Sequence, residues 1–221
     1  MKKRWIGVLF ALTAVLLVFL VEQLLQPGYW VKSLLKAAAF LGAILSYAAL
    51  SKQDFLETIR LRRLSGAKPL LLGMLLFFGG VALLFLCFRN QLDLAGIRDS
   101  LMKKEQLTRQ NCLFVFAYII LCNAFLEEAF FRGFVFGLFQ NQKLGALVSA
   151  ILFSLYHIGI FISWFNPFLF LLCVIGLAAV GLFLQWVSGK YQTIAAGYLI
   201  HACANVAINT IGALLIFGVL S

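Results

Sequence analysis

Two adjacent glutamates, Glu127 and Glu128, stand just ahead of Arg132 in LEEAFFRGFV, residues 126–135. The run before them, 112–125, carries one polar residue, Asn123, in otherwise apolar sequence. The chain has only two histidines, His157 and His201, and each also falls in an apolar run. Asn205 follows His201 by four residues in HACAN. Carboxylate, imidazole and carboxamide are the groups that hydrolysis of an acyl bond calls for. One takes a proton from water, one orients that water, and N–H donors meet the developing oxyanion. A charged side chain at mid-bilayer costs from about 2.5 to above 10 kcal/mol, depending on the scale. Such groups are paired, wetted or used, and ionisable residues at that depth read first as a functional site.

The elements that carry them are membrane helices. Of 221 residues, 63% are hydrophobic and 12% charged, and the mean hydropathy is +1.01. Soluble domains carry about 25% charged residues. A span needs about 20 apolar residues, so the chain reads as an all-α polytopic membrane helix bundle of about seven transmembrane helices. The formal charge of +10 does not indicate nucleic acid. The basic residues cluster beside apolar spans, where they act as topology signals and contacts to anionic lipid. Cys87, Cys112, Cys122, Cys173 and Cys203 form no CxxC and read as small buried hydrophobes. The start, MKKRW and an apolar run, reads as an uncleaved first helix, because VEQLLQPGYW offers no small-x-small cleavage site.

Three regions follow. Residues 1–90 hold three spans near 5–25, 30–50 and 70–88, with a Pro27-Gly28 turn and a basic linker, 51–69, expected to be cytoplasmic and lipid-facing. Lys32 and Lys36, near the start of the second span, are expected to snorkel. Residues 91–111 read as an amphipathic interfacial segment. Leu94, Ile97 and Leu101 recur at helical spacing, and Asp99–Lys103 and Glu105–Arg109 are i,i+4 pairs. Residues 112–221 form a four-helix core near 112–139, 143–161, 167–187 and 191–219, the third opened by Asn166-Pro167. With the N-terminus inside, ten basic residues fall on the inner side and seven on the outer. That bias predicts a cytoplasmic N-terminus, and the lack of a soluble regulatory domain, a cleavable signal and structural cysteine pairs predicts a multi-pass cell-membrane protein.

Glu127, His157 and His201 lie 12, 14 and 10 residues from the same-side ends of their spans. At 1.5 Å per residue, that is within roughly 6 Å of one depth. Asn123 and Glu127 share a helix face, while Glu128 and Arg132 share another about 100° away. Arg132 is therefore expected to neutralise Glu128 within one helix, leaving Glu127 to face other helices. Gly133 and Gly137 form a GxxxG for close backbone approach. Phe153 pairs with His157 on one face, and His201, Asn205 and Asn209 line one stripe. Each feature alone has a plainer reading, as a structural ion pair or an interhelical hydrogen bond. Their coincidence at one depth favours a site.

EEAFFR (127–132), FSLYH (153–157) and HACAN (201–205) match EExxxR, FxxxH and HxxxN in order on successive helices. The pattern resembles the CPBP family of intramembrane endopeptidases, which includes CAAX prenyl proteases and bacteriocin-processing and immunity-associated Abi proteins. The resemblance implies a proteolytic chamber in the membrane. Glu127 would be the general base, and His157 would bind and activate water. His201 and Asn205 would stabilise the oxyanion, and Glu128 and Arg132 would hold the helix geometry. The same residues offer zinc a His157, His201 and Glu127 set with an open position for water. There is no HExxH, and the preferred reading is a glutamate protease with no cofactor. The expected partners are a peptide or lipidated-protein substrate and membrane lipids. The competing readings are a non-enzymatic bacteriocin self-immunity protein and a proton-coupled transporter, the latter weakened by the lack of repeated halves. The residues specify neither substrate nor oligomeric state.

Overall fold

In hydrocarbon the backbone must satisfy its own N–H and C=O groups, so long apolar runs form helices. The computed structural model describes residues 2–64, 68–161 and 164–220. Among them are nine helices and no strand. They are α1 (Lys2–Leu20), α2 (Tyr29–Ser51), α3 (Phe55–Thr58), α4 (Lys68–Phe88), α5 (Leu94–Asp99), α6 (Cys112–Val135), α7 (Gln142–Phe161), α8 (Pro167–Tyr191) and α9 (Ile194–Phe217). Among the described residues, six helices are long and apolar enough to cross a membrane: Lys3–Leu25, Tyr29–Ser51, Leu70–Gln91, Cys112–Val135, Pro167–Tyr191 and Ile194–Phe217. The expected all-α polytopic bundle is borne out. The remaining expected span, 143–161, is the 20-residue α7, which is not among the six.

Half of the apolar window of α6 is buried, more than in any of the other five spans, and the fold wraps around it. α9 packs on α4, α8 and α6, α7 packs on α8, and α1 packs on α2. Phe40 of α2 stacks on Phe130 of α6 with ring centroids 3.9 Å apart. Phe131 meets Phe153 of α7 edge-on at 5.4 Å. These rings hold α2 and α7 against the two sides of the helix that carries the glutamates.

α6 is not the regular helix that ideal spacing assumes. Wide i→i+5 turns run over Ile119–Asn123 and Ala129–Val135, on either side of Ala124–Glu128. Such turns are rare and gather at functional sites. The turn between α8 and α9 also falls later than expected. α8 continues through Gly189, and the chain reverses at left-handed Gln192 (φ 55°) and Thr193, whose hydroxyl caps α9 by accepting from Ala195 N–H at 3.3 Å. The expected start of α8 holds, with Asn166 Oδ1 accepting from Leu169 N–H at 3.0 Å ahead of Pro167 at the first turn.

The 51–69 linker is not simply lipid-facing. Ile59 is fully buried. Thr193 Oγ1 donates to Arg62 O at 2.8 Å and accepts from Arg62 N–H at 3.1 Å, so this loop is docked onto the α8–α9 turn. The GxxxG is half used. A methyl on Gly133 would fall 2.5 Å from Ile59 O, whereas one on Gly137 would meet nothing within 4 Å. The interfacial segment keeps Ile97 buried and the Asp99–Lys103 pair at 2.6 Å. The expected Glu105–Arg109 pair does not form: Glu105 turns inward to Lys32 at 2.7 Å, and Arg109 donates to Phe217 O.

Candidate active site

Glu127 and Glu128 are neighbours on α6, so their side chains diverge by about 100°. Both are buried, at 2% and 0% exposure. Glu127 Oε1 accepts from Asn123 Nδ2 at 2.7 Å, one turn back along α6, and from the Tyr156 hydroxyl of α7 at 3.1 Å. Its other oxygen, Oε2, accepts no hydrogen bond among the described residues. Oε2 lies 3.8 Å from His157 Nε2 and 3.8 Å from His201 Nε2. Helices α6, α7 and α9 thus bring the three expected ionisable residues to one point.

The far side of each imidazole sets its proton. His157 Nδ1 lies 2.7 Å from Phe153 O, which can only accept, so Nδ1 carries hydrogen. His201 Nδ1 lies 3.0 Å from Glu128 Oε1, where an ionised carboxylate likewise accepts. When a ring is neutral its Nε2 is then an acceptor, facing the acceptor Glu127 Oε2. Three acceptor atoms facing one another require a donor between them, and a water proton is the simplest.

Glu128 is held as expected by Arg132, at 3.3 Å. The guanidinium lies over the Phe153 ring with Cζ 4.0 Å from its centroid, a cation–π contact. Phe153 therefore supports both Arg132, through its ring, and His157, through its carbonyl. Glu128 also holds His201 through Nδ1, a contact between helices that the i,i+4 spacing does not announce. Asn205 and Asn209 line the same cavity as Glu127, His157 and His201. It measures about 490 Å³, within the ordinary range for a ligand site. Much of its wall is apolar, including Phe77, Phe85, Ile97 and Leu101, and it reaches the ionic group Glu22–Lys32–Glu105.

Two residues on Glu127 were not anticipated. Tyr156 sits inside FSLYH, beside the histidine, where it passes for another aromatic packing residue. Lys36 comes from α2, and its Nζ lies 3.0 Å from the Tyr156 hydroxyl and 3.6 Å from Glu127 Oε1. Neither Lys32 nor Lys36 snorkels. Lys32 is 5% exposed between Glu22 at 2.8 Å and Glu105 at 2.7 Å, and Lys36 points into the cavity. Inward acidic partners outweigh the interface for both side chains.

The same atoms make up the zinc set of His157, His201 and Glu127. Ligands about 2.0–2.1 Å from a tetrahedral zinc ion lie about 3.4 Å from one another. Both imidazole nitrogens stand wider than that from Glu127 Oε2, at 3.8 Å. Among the described residues no three His, Cys, Asp or Glu side chains form a metal-holding group. The donor types suit zinc, but the atoms stand about 0.4 Å wider than its tetrahedral ligands do.

Comparison with known proteins agrees with the motif reading. Residues 109–207 match the family described as Rce1-like, type II CAAX prenyl endopeptidase Rce1-like. The resemblance to CPBP-type endopeptidases drawn from EEAFFR, FSLYH and HACAN is borne out over that stretch, which contains all three. The chain is also 30% identical over 95 residues to the UPF0177 protein YxdF of Lactococcus lactis subsp. lactis (strain IL1403). That match covers 39% of this chain and 48% of the relative, so the chain spans about half the length of the curated relative it matches. No solved structure matches this chain.

Proposed function

We propose that this protein is an intramembrane endopeptidase of the glutamate type, hydrolysing a peptide bond of a membrane-associated substrate. A CAAX-type prenylated tail, a leader peptide or a membrane segment would each suit a mostly apolar cavity. The observation that carries the reading is the approach of two imidazole Nε2 atoms to the one Glu127 oxygen that accepts no hydrogen bond. Water held there donates one hydrogen to Glu127 Oε2 and the other to His157 Nε2. As its oxygen attacks the scissile carbonyl, Glu127 takes a proton and later delivers it to the departing amine. The tetrahedral oxyanion is met by the Asn205 amide and by His201. For this His201 takes up a solvent proton at Nε2 when substrate binds, and as imidazolium it keeps Nδ1–H on Glu128 and gives Nε2–H to the oxyanion. Arg132 balances Glu128. No cofactor enters this scheme. The protein is placed in the cell membrane with its N-terminus cytoplasmic, and the substrate and membrane lipids are its partners.

The test is cleavage of a quenched-fluorescent peptide library by detergent-purified protein, wild type beside Glu127→Ala, each with and without a zinc chelator. The reading expects cleavage by wild type, indifference to chelator, and none by Glu127→Ala. Cleavage abolished by chelator and restored by zinc would make His157 and His201 ligands instead. Normal cleavage by Glu127→Ala removes Glu127 as the base.

A further inference from the structure

Lys36 lies on α2, outside residues 109–207 and outside all three motifs. With its Nζ 3.0 Å from the Tyr156 hydroxyl and 3.6 Å from Glu127 Oε1, it completes a convergence of three helices on one oxygen. Asn123 of α6 and Tyr156 of α7 donate to that oxygen directly. The opposite oxygen, Oε2, faces the imidazoles. The terminal torsion of a glutamate is broad and roughly two-fold, so a carboxylate without a clamp presents either oxygen. Here the donors distinguish the two.

A buried lysine is costly without a counterion. Lys32, one turn earlier on α2, has two acidic partners, Glu22 and Glu105, and is accounted for by them. Among the described residues, the carboxylate within 4.0 Å of the Lys36 ammonium is Glu127. The packing that brings Lys36 in is the Phe40–Phe130 stack, one turn further along α2. We infer that Lys36 is a positioning residue for the general base, holding Glu127 by Oε1, with and through Tyr156, so that Oε2 is presented to the water. The inference rests on the reading of Glu127 as that base. It makes the N-terminal helices part of the reacting centre rather than a lipid-facing addition to it.

The test compares full-length wild type, Lys36→Met, Lys36→Arg, Tyr156→Phe and Glu127→Ala. Each acts in detergent on the best-cleaved member of the peptide library, with melting temperature followed alongside. Misplacing a reacting group by about 1 Å can cost about 100-fold in rate, and Lys36→Met is expected to lose about that in kcat with KM unchanged. Lys36→Arg should recover at least tenfold of it, because a cation is restored, and Tyr156→Phe should fall in kcat by a smaller factor. Unchanged kcat in Lys36→Met overturns the proposal. So does a defect confined to KM, which would make Lys36 a substrate contact, or a loss that Lys36→Arg leaves unrecovered. If Glu127→Ala cleaves normally, or wild type cleaves nothing, the reading of Glu127 fails first and this inference fails with it.

Discussion

His201 donates Nδ1–H to Glu128 Oε1 across 3.0 Å, from α9 to α6, while its Nε2 stands 3.8 Å from Glu127 Oε2. One imidazole is thereby held between the two members of a Glu-Glu pair. Adjacent helix residues diverge by about 100°, and the ring spans that divergence. A carboxylate behind a functional imidazole fixes its tautomer and orientation and stabilises the imidazolium when it forms. Glu128 has that position here, and Arg132 at 3.3 Å supplies its counter-charge.

This divides the roles of Glu128 and Arg132 in a way a variant series can read. Arg132→Ala leaves a fully buried carboxylate with its ion-pair partner removed. Breaking such a pair is expected to cost about 3–5 kcal/mol of stability, seen as a lower melting temperature and poorer yield in detergent. Glu128→Gln combined with Arg132→Met removes both charges and is expected to recover most of that stability. The double variant should still cleave about 10–100-fold more slowly than wild type, the scale of loss when the carboxylate behind a metal-bound histidine is changed. Full activity in the double variant would mean that Glu128 only neutralises Arg132.

Gly133 and Gly197 carry close approaches, and Gly137 does not. A methyl on Gly197 would fall 2.6 Å from Ser188 Oγ and 2.7 Å from Glu128 Oε2, and one on Gly133 would meet the Ile59 backbone at 2.5–2.8 Å. Gly137 has open space around it. Overpacking costs about 1–3 kcal/mol, so Gly133→Ala and Gly197→Ala should lower the melting temperature while Gly137→Ala leaves it unchanged. Gly197→Ala should also slow cleavage, since it displaces the carboxylate that orients His201. Equal behaviour of all three alanine variants would refute the assigned contacts.

Lys32 joins three separate parts of the chain: its own α2, Glu22 just after α1, and Glu105 within the interfacial segment. Lys32→Met strands two partly buried carboxylates and should destabilise the protein by several kcal/mol, about the scale of a broken buried pair. Lys32→Met with Glu22→Gln and Glu105→Gln should recover much of the loss in a thermal melt. If the triple variant is no better than the single one, the ion group is not what ties these segments together.

The bundle and its central cluster were legible because hydropathy sets spans and polar residues in them are few. Glu127, His157 and His201 were the conspicuous ionisable groups at mid-depth, and α6, α7 and α9 bring them together. Lys36 was not legible. A lysine near a span end reads as snorkelling, and only tertiary packing shows that its head turns inward to Tyr156. Tyr156 was hidden by its surroundings, one aromatic in a chain with 23 phenylalanines. The wide turns of α6 leave no mark that side-chain periodicity could register. The Glu105–Arg109 pairing failed because the helical turns end at Lys104 and the chain leaves through left-handed Gln106 (φ 56°), so i,i+4 geometry does not hold there and Glu105 meets Lys32 instead.

Asn205 and Asn209 separate an oxyanion donor from a packing group. Both line the cavity on one stripe of α9, one turn apart. Asn205 is one turn from His201 and lines the cavity with it, and in the proposed reaction its amide donates to the oxyanion. Asn209 is a turn further along and buried, with an Nδ2 that has no hydrogen-bond partner among the described residues. Removing one oxyanion donor costs about 10²–10³ in kcat. Asn205→Ala is therefore expected to lose that much in kcat at an unchanged melting temperature. Asn209→Ala should lose less than tenfold, and Asn209→Leu, which replaces the amide with an apolar side chain of similar size, should hold or raise the melting temperature. Steady-state cleavage and thermal melts of the three variants decide it. A kcat defect larger in Asn209→Ala than in Asn205→Ala would move the oxyanion site one turn along α9, away from His201, and would break the proposed pairing of His201 with Asn205.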